Sequence, residues 1–229
     1  MSDDIPRVVA TAEIPLTGMR GAVARAMMDS LLQTAQFTLH RRIDATGIEE
    51  FRKANDKQYS VNDVVLVAAS RILLRYPYLN ATLTDDVIRQ WPVVNLGMAV
   101  ALSEGLVVPV IHSADQATPQ QIATTARDLA ARARSRKLTT RDISDGTFTV
   151  TNLGAYGVDG FTPIVNPPQV GILGVGRIHR GELTLSLTVD HRAVDGAPAA
   201  RYLAELSEAI EAPNSIFCEV VGVDRTRTP

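Results

Sequence analysis

From residue 183 to residue 204 the chain reads LTLSLTVDHRAVDGAPAARYLA. Leu183, Leu185, Leu187 and Val189 alternate with Thr184, Ser186 and Thr188, the period of two that a strand shows when one face lies in a core. Past Gly196 the period changes, because Ala200, Leu203, Leu206 and Ile210 recur at helical spacing, with Asp195 and Gly196 supplying a turn and an N-cap. The stretch must therefore deliver His191 and Arg192 to a strand end fixed by packing on both sides. A histidine held in this way, with a carboxylate four residues on and an arginine beside it, suits a general base that has to be oriented. The plainer alternative is a strand-to-helix turn that happens to contain a histidine.

With 229 residues, 45% of them hydrophobic, the chain fills one sizeable core, and chains of this size bury about 70% of their unfolded surface. A net charge of -2 provides no basic field for nucleic acid or an anionic membrane, so an anionic ligand has to be met by local arginines. MSDDIP lacks the basic and apolar regions of a signal peptide, and no apolar run reaches the roughly 18 residues of a membrane helix. A cytoplasmic protein is expected. Cys218 is the one cysteine, and His40, His112, His179 and His191 form no HxxxH or HxxH pair, so neither an internal disulfide nor a metal is expected.

In chain order, residues 1–13 read as an extended arm. Thr17 to Gln36 read as a helix with Val23, Met27, Leu31 and Leu32 on its apolar stripe. FTLHRRID reads as a strand, IEEFRKAN as a short helix, and Ser60 caps a buried helix that ends before Pro77. Between Leu79 and Ile111 come NATLT, a turn at Asp85 and Asp86, VIRQW, VNLGMAVAL and LVVPVI, strands of near-continuous apolar character that suit burial on both faces. Trp91 and His112 are candidates to line a pocket, but buried structural roles are expected of both. Pro119 opens a helix to about Arg136, whose Arg127, Arg132, Arg134, Arg136 and Lys137 suit nucleotide phosphates but fit a solvated face better. Phe148 and Val150 alternate with Thr149 and Thr151 in a strand, and Gly154, Gly157 and Gly160 follow in a loop able to pass close to another chain or a ligand. Neither GxGxxG nor GxxxxGK[ST] is present, which excludes dinucleotide and P-loop readings.

The string DHRAVDG resembles the HxxxDG signature of the chloramphenicol acetyltransferase-like superfamily. Its flanks resemble the dihydrolipoamide acyltransferase branch, the core component of 2-oxoacid dehydrogenase complexes. PLTGMRGAVARAMMDSL, SVNDVVLVAASRILLRYPYLNATL, VNLGMAVALSEGLVVPVI and GTFTVTNLGAYGVDGFTPIVNPPQVGILGVG are similar to other stretches of that family, so the likeness runs from about Pro15 to Pro213. It implies an α/β fold, an α+β two-layer sandwich whose mixed sheet has helices packed on one side, in an obligate trimer. It also implies acyl transfer between dihydrolipoamide and coenzyme A. In these terms His191 is the base on the thiol, Asp195 holds the turn, and Thr151, presented by a neighbouring subunit, stabilises the tetrahedral oxyanion. Arg20 pairs with Asp195 or faces the substrate channel, and Arg192 is a second candidate for cofactor contact. Ala26 stands where the family often has a second basic residue.

The implied domain is 14–229, and no lipoyl or subunit-binding domain is expected, since the lysines Lys53, Lys57 and Lys137 all stand in helical or inter-helix contexts. The lipoyl group and the dehydrogenase components are then expected on other chains, and the resemblance allows for trimers that join into a larger assembly. The competing readings are a non-catalytic trimeric scaffold of the same fold, or a free-standing acyltransferase with another acceptor. A hydrolase lacks its GxSxG elbow here, and a condensation domain usually has a second histidine where this chain has Asp190. A thiol of pKa about 8.5 facing an imidazole near 6.5 makes proton transfer uphill by roughly 2.7 kcal/mol, so orienting the base matters more than raising its basicity.

Overall fold

The computed structural model describes residues 10–103 and 105–217. The first part of the arm, and the tail with Cys218, Val220 and Val221, lie outside the described residues. The elements are α1 (Gly18–Gln33), β1 (Gln36–Asp44), α2 (Thr46–Ala54), α3 (Val61–Ile72), β2 (Ala81–Thr84), β3 (Val87–Gln90), β4 (Leu96–Met98), β5 (Val100–Leu102), β6 (Gly105–Val107), β7 (Val110–Ile111), α4 (Pro119–Arg134), β8 (Phe148–Asn152), β9 (Gly171–His179), β10 (Glu182–Asp190), α5 (Gly196–Glu211) and α6 (Asn214–Phe217).

Six strands form one mixed sheet in the order β1-β10-β9-β8-β4-β7. β9 and β10 make a hairpin, turned at Arg180 and Gly181 with φ of 52° and 78°, and β1 adds to β10 antiparallel with Phe37 opposite Val189 and Ile43 opposite Leu183. The alternation in the sequence is realised on this sheet. Leu183, Leu185, Leu187 and Val189 are all buried, as are Tyr202, Leu203, Leu206 and Ile210 of α5, which packs on that face. Each such aliphatic side chain contributes about 1.5–3 kcal/mol of burial. β8 lies parallel to both β9 and β4, and α3 packs against α4 and α5 in the helical layer.

α3 begins where the sequence demands it. The Ser60 hydroxyl accepts from the Asp63 N–H at 3.1 Å, and the Asp63 carboxylate accepts from the Ser60 N–H at 2.8 Å, a reciprocal capping box. Its residues from Asp63 to Ser70 are buried, and a short 3₁₀ turn at Leu73–Arg75 closes it before Pro77. α4 opens in the same way, on Thr118 and Gln121 with Pro119 in the first turn.

Four expectations need correction. VNLGMAVAL is two strands: β4 stays in the main sheet, the Ala99 N–H donates to the Val150 carbonyl, and β5 leaves to pair with β6. Pro109, which has no N–H to give a ladder, separates β6 from β7. Trp91 is 40% exposed because β2 and β3 form a hairpin outside the main sheet, and its indole N–H donates to Thr82 Oγ1 at 3.1 Å. His112 is only partly buried, its Nε2 lying 2.9 Å from the Arg141 carbonyl oxygen. On α1 the expected stripe is half right, since Val23 and Met27 are partly buried while Leu31 and Leu32 are exposed.

The loop after β8 passes close to the chain's own β9. A Cβ on Gly176 would stand 2.0 Å from the Asp159 carbonyl oxygen, and one on Gly154 2.5 Å from that of Gly176. Glycine is obligatory at such a crossing.

Candidate active site

β10 ends at Asp190, and the turn that follows is tied to the start of β1. The His191 N–H donates to the Ala35 carbonyl at 2.8 Å, and the Ala35 N–H donates back to Asp190 Oδ1 at 3.2 Å. The imidazole lies against the Phe37 ring with centroids 4.6 Å apart and is 51% exposed, so it can be reached. Its Nδ1 is 3.6 Å from Asp195 Oδ1. That is too long for a hydrogen bond, yet it places a carboxylate where an imidazolium would form. Asp195 stands at the N-cap of α5 by its backbone, but its side chain makes no capping hydrogen bond.

Arg192 is already engaged. Its Nε lies 3.0 Å from both oxygens of Asp190 and its Nη2 lies 2.6 Å from Oδ2, a two-pronged charge-assisted pair. Burial pushes the Asp190 carboxyl up, but the Arg192 guanidinium and the N–H groups of Arg192 and Ala35 outweigh it and hold that group below the usual carboxylate range. The guanidinium named as a candidate for cofactor contact is thus held in an internal ion pair while 42% exposed.

Thr151 belongs to the other end of the sheet. In the ladder it pairs with Gly174, and Gly174 pairs with Ser186. Two strand spacings and the five residues from Ser186 to His191 put Thr151 and His191 roughly 19 Å apart in one chain. Among the described residues no partner takes the Thr151 hydroxyl, and Thr151 is one of the residues lining a cavity of about 870 Å³ between α4, the start of α3, β5 and the ends of β8 and β9. This is the size of a pocket for a large organic ligand.

Arg20 makes no ion pair among the described residues. It lies fifteen residues before Ala35, about 20 Å along α1, and α1 meets β6, so the expected pairing with Asp195 does not form within one chain.

The basic cluster on α4 divides into two roles. Arg132 is bound by Asp128 and Asp142 at 2.7 and 2.6 Å, the solvated face foreseen for it. Arg127 and Arg134 line the cavity with Arg52 of α2. Arg52 lies far away in sequence, and no local pattern marks it. The cavity also holds Asn62 and Asn152, whose amides meet at 3.3 Å. Among the described residues no group of three or more His, Cys, Asp or Glu side chains gathers to hold a metal, and no helix is long and apolar enough to cross a membrane.

The layered sheet and helices place the chain first in a fold class. It is similar to chloramphenicol acetyltransferase with a TM-score of 0.54 at 12% identity, covering 82% of this chain and 92% of that one. Residues 9–218 match the 2-oxoacid dehydrogenases acyltransferase (catalytic domain), and the chain belongs to that family. It is similar to the Azotobacter vinelandii dihydrolipoamide acetyltransferase, at 32% identity and a TM-score of 0.85 over 93% of this chain and 98% of that one, a structure obtained with a study of a serine, a histidine and an asparagine in the catalytic mechanism. The cubic core of a pyruvate dehydrogenase multienzyme complex is similar at 33% identity and a TM-score of 0.84, over 93% and 98% of the two chains. In sequence it is 39% identical, over 90% of its length, to the acetyltransferase component of the acetoin cleaving system of Bacillus subtilis, of which the match covers 56%. The chain spans about half the length of the curated relatives it matches.

Proposed function

We propose that residues 14–229 form the catalytic domain of an acyltransferase that moves an acyl group between a dihydrolipoyl thiol and the thiol of coenzyme A, in a site built from two copies of the chain. The separation of roughly 19 Å between Thr151 and His191 along the sheet carries this reading. A hydroxyl and an imidazole that far apart serve one reaction only if the Thr151 end of one subunit meets the His191 end of the next. Such a head-to-tail contact closes into a ring, and a ring of three is the arrangement the family resemblance implies. Trimers joined in a larger core, with lipoyl domains and dehydrogenase components on other chains, fit the likeness to the cubic core.

In this site the attacking thiol gives its proton to His191 Nε2, the ring nitrogen that does not face Asp195. The thiolate adds to the thioester carbonyl, whose oxygen becomes negative, and the Thr151 hydroxyl donates to that oxygen. Collapse restores the carbonyl and expels the second thiolate, which takes the proton back from the imidazolium. Charges and atoms balance in both directions with no redox step. Asp195 stabilises the imidazolium through space, and its spacing from His191 equals that between the histidine and asparagine studied in the Azotobacter enzyme. Arg52, Arg127 and Arg134 supply the local positive charge that the phosphates of coenzyme A require in a chain of net charge -2.

The test is direct assay of the purified chain with a panel of acyl-coenzyme A thioesters and free dihydrolipoamide. Acyl-dihydrolipoamide formation from at least one of them is expected, and its absence across acetyl, succinyl and branched-chain donors from an assembled protein would favour the scaffold reading.

A further inference from the structure

We infer that Asp190 is a positioning residue for the His191 base, acting with Arg192 as a clamp that fixes the catalytic turn on the junction between α1 and β1. The inference rests on the reading of His191 as the base. Asp190 is the last residue of β10, and its side chain is only 2% exposed. It accepts from two nitrogens on one edge of the Arg192 guanidinium, from the Arg192 N–H at 3.1 Å and from the Ala35 N–H at 3.2 Å. Its carbonyl accepts from the N–H groups of Ala193 and Val194, both at 3.0 Å.

Asp190 thus binds the residue after His191 and the chain segment that accepts the His191 N–H through its carboxylate, and the next two turn residues through its main-chain carbonyl. A buried ion pair contributes little net stability, because desolvation offsets its attraction. Its effect here is on geometry, since the flanks of His191 are fixed while its ring, packed against Phe37, stays half exposed. This division of labour places a stiff frame around a group that must meet a thiol within a few tenths of an ångström. The charged groups facing the turn are Asp190, Arg192, His191, Asp195 and, from the β2–β3 hairpin, Asp86.

The experiment compares Asp190→Asn, Arg192→Gln and Arg192→Lys with wild type and with His191→Ala, in the assembled protein. It measures kcat, KM for both thiol substrates, the pH profile of kcat/KM and the melting temperature. Asp190→Asn turns acceptor into donor against the guanidinium, and kcat is expected to fall about 30-fold with both KM values within about threefold. Arg192→Lys keeps the charge but loses the two-pronged hold, and an intermediate fall in kcat is expected.

The acid-side inflection moves in opposite directions in the two charge-changing variants. Removing the negative charge in Asp190→Asn destabilises the imidazolium and shifts it to lower pH, whereas removing the positive charge in Arg192→Gln shifts it to higher pH. If Asp190→Asn does not fold, the two variants at the part-exposed Arg192 carry the test. Wild-type kcat and an unmoved profile in the folded variants would overturn the clamp while His191→Ala remains inactive. Retained activity in His191→Ala would instead overturn the reading of the base.

Discussion

The two ends of the main sheet are built on opposite principles. Around Thr151 the chain leaves space, with a cavity of about 870 Å³, four arginines on its wall and a hydroxyl that makes no hydrogen bond among the described residues. Around His191 it is tight in the backbone rather than at the ring, since Ala35 is bound to Asp190 and Asp190 to Arg192 while the imidazole stays half exposed. The first end is suited to receiving a large ligand and the second to holding one proton acceptor still. In the proposed reading neither end is a complete site, and their separation in one subunit makes each the complement of the other in the next.

This contrast is broken most easily at the stiff end. His191→Ala is expected to reduce acyl transfer by about 10³-fold with the fold intact, as for loss of a general base. A variant that keeps full turnover would show that the ring is only part of a turn. At the open end, Thr151→Val removes the hydroxyl at nearly constant shape, and kcat should fall by about 10²-fold with little change in KM. A change in KM alone would make Thr151 a binding group and remove the oxyanion role.

Smaller effects sharpen the difference. Arg127→Ala and Arg134→Ala should each raise KM for coenzyme A by about tenfold while leaving kcat within about twofold, and the effect should shrink as salt rises. Equal losses in kcat would mean that the cavity does more than bind. Tyr202 is the control, buried in the helical layer against Phe148 and Tyr76 with a hydroxyl that has no hydrogen-bond partner among the described residues. Burial pushes that phenol far above its ordinary range. Tyr202→Phe should leave activity unchanged and stability within about 1 kcal/mol of wild type or above it, read by thermal unfolding.

What the sequence disclosed follows from how local each signal is. The period of two before Asp190, the helical spacing after Gly196 and the capping pairs Ser60 with Asp63 and Thr118 with Gln121 are short-range patterns, and each element they announce is present. The split at Ala99 was hidden because a strand that changes sheets keeps its apolar composition. Trp91 and His112 were misplaced for a related reason, since a large ring says nothing about whether its strand joins the main sheet. The division among the arginines of α4 depends on Asp142 and Arg52, residues brought near only by the fold. The exposure of Leu31, Leu32 and Met28 on α1 is equally silent in a sequence that reads as an apolar stripe, and it fits a face that a second copy covers.

The measurement that bears most directly on a site shared between copies is complementation between two inactive variants. His191→Ala and Thr151→Val chains, each inactive or nearly so alone, are unfolded, mixed in equal amounts and refolded together. Random assembly in a closed ring leaves about one interface in four with both His191 and Thr151 intact. Recovery of about a quarter of wild-type activity is therefore predicted, and a mixture no more active than its components, although co-assembled, would contradict a site made by two chains.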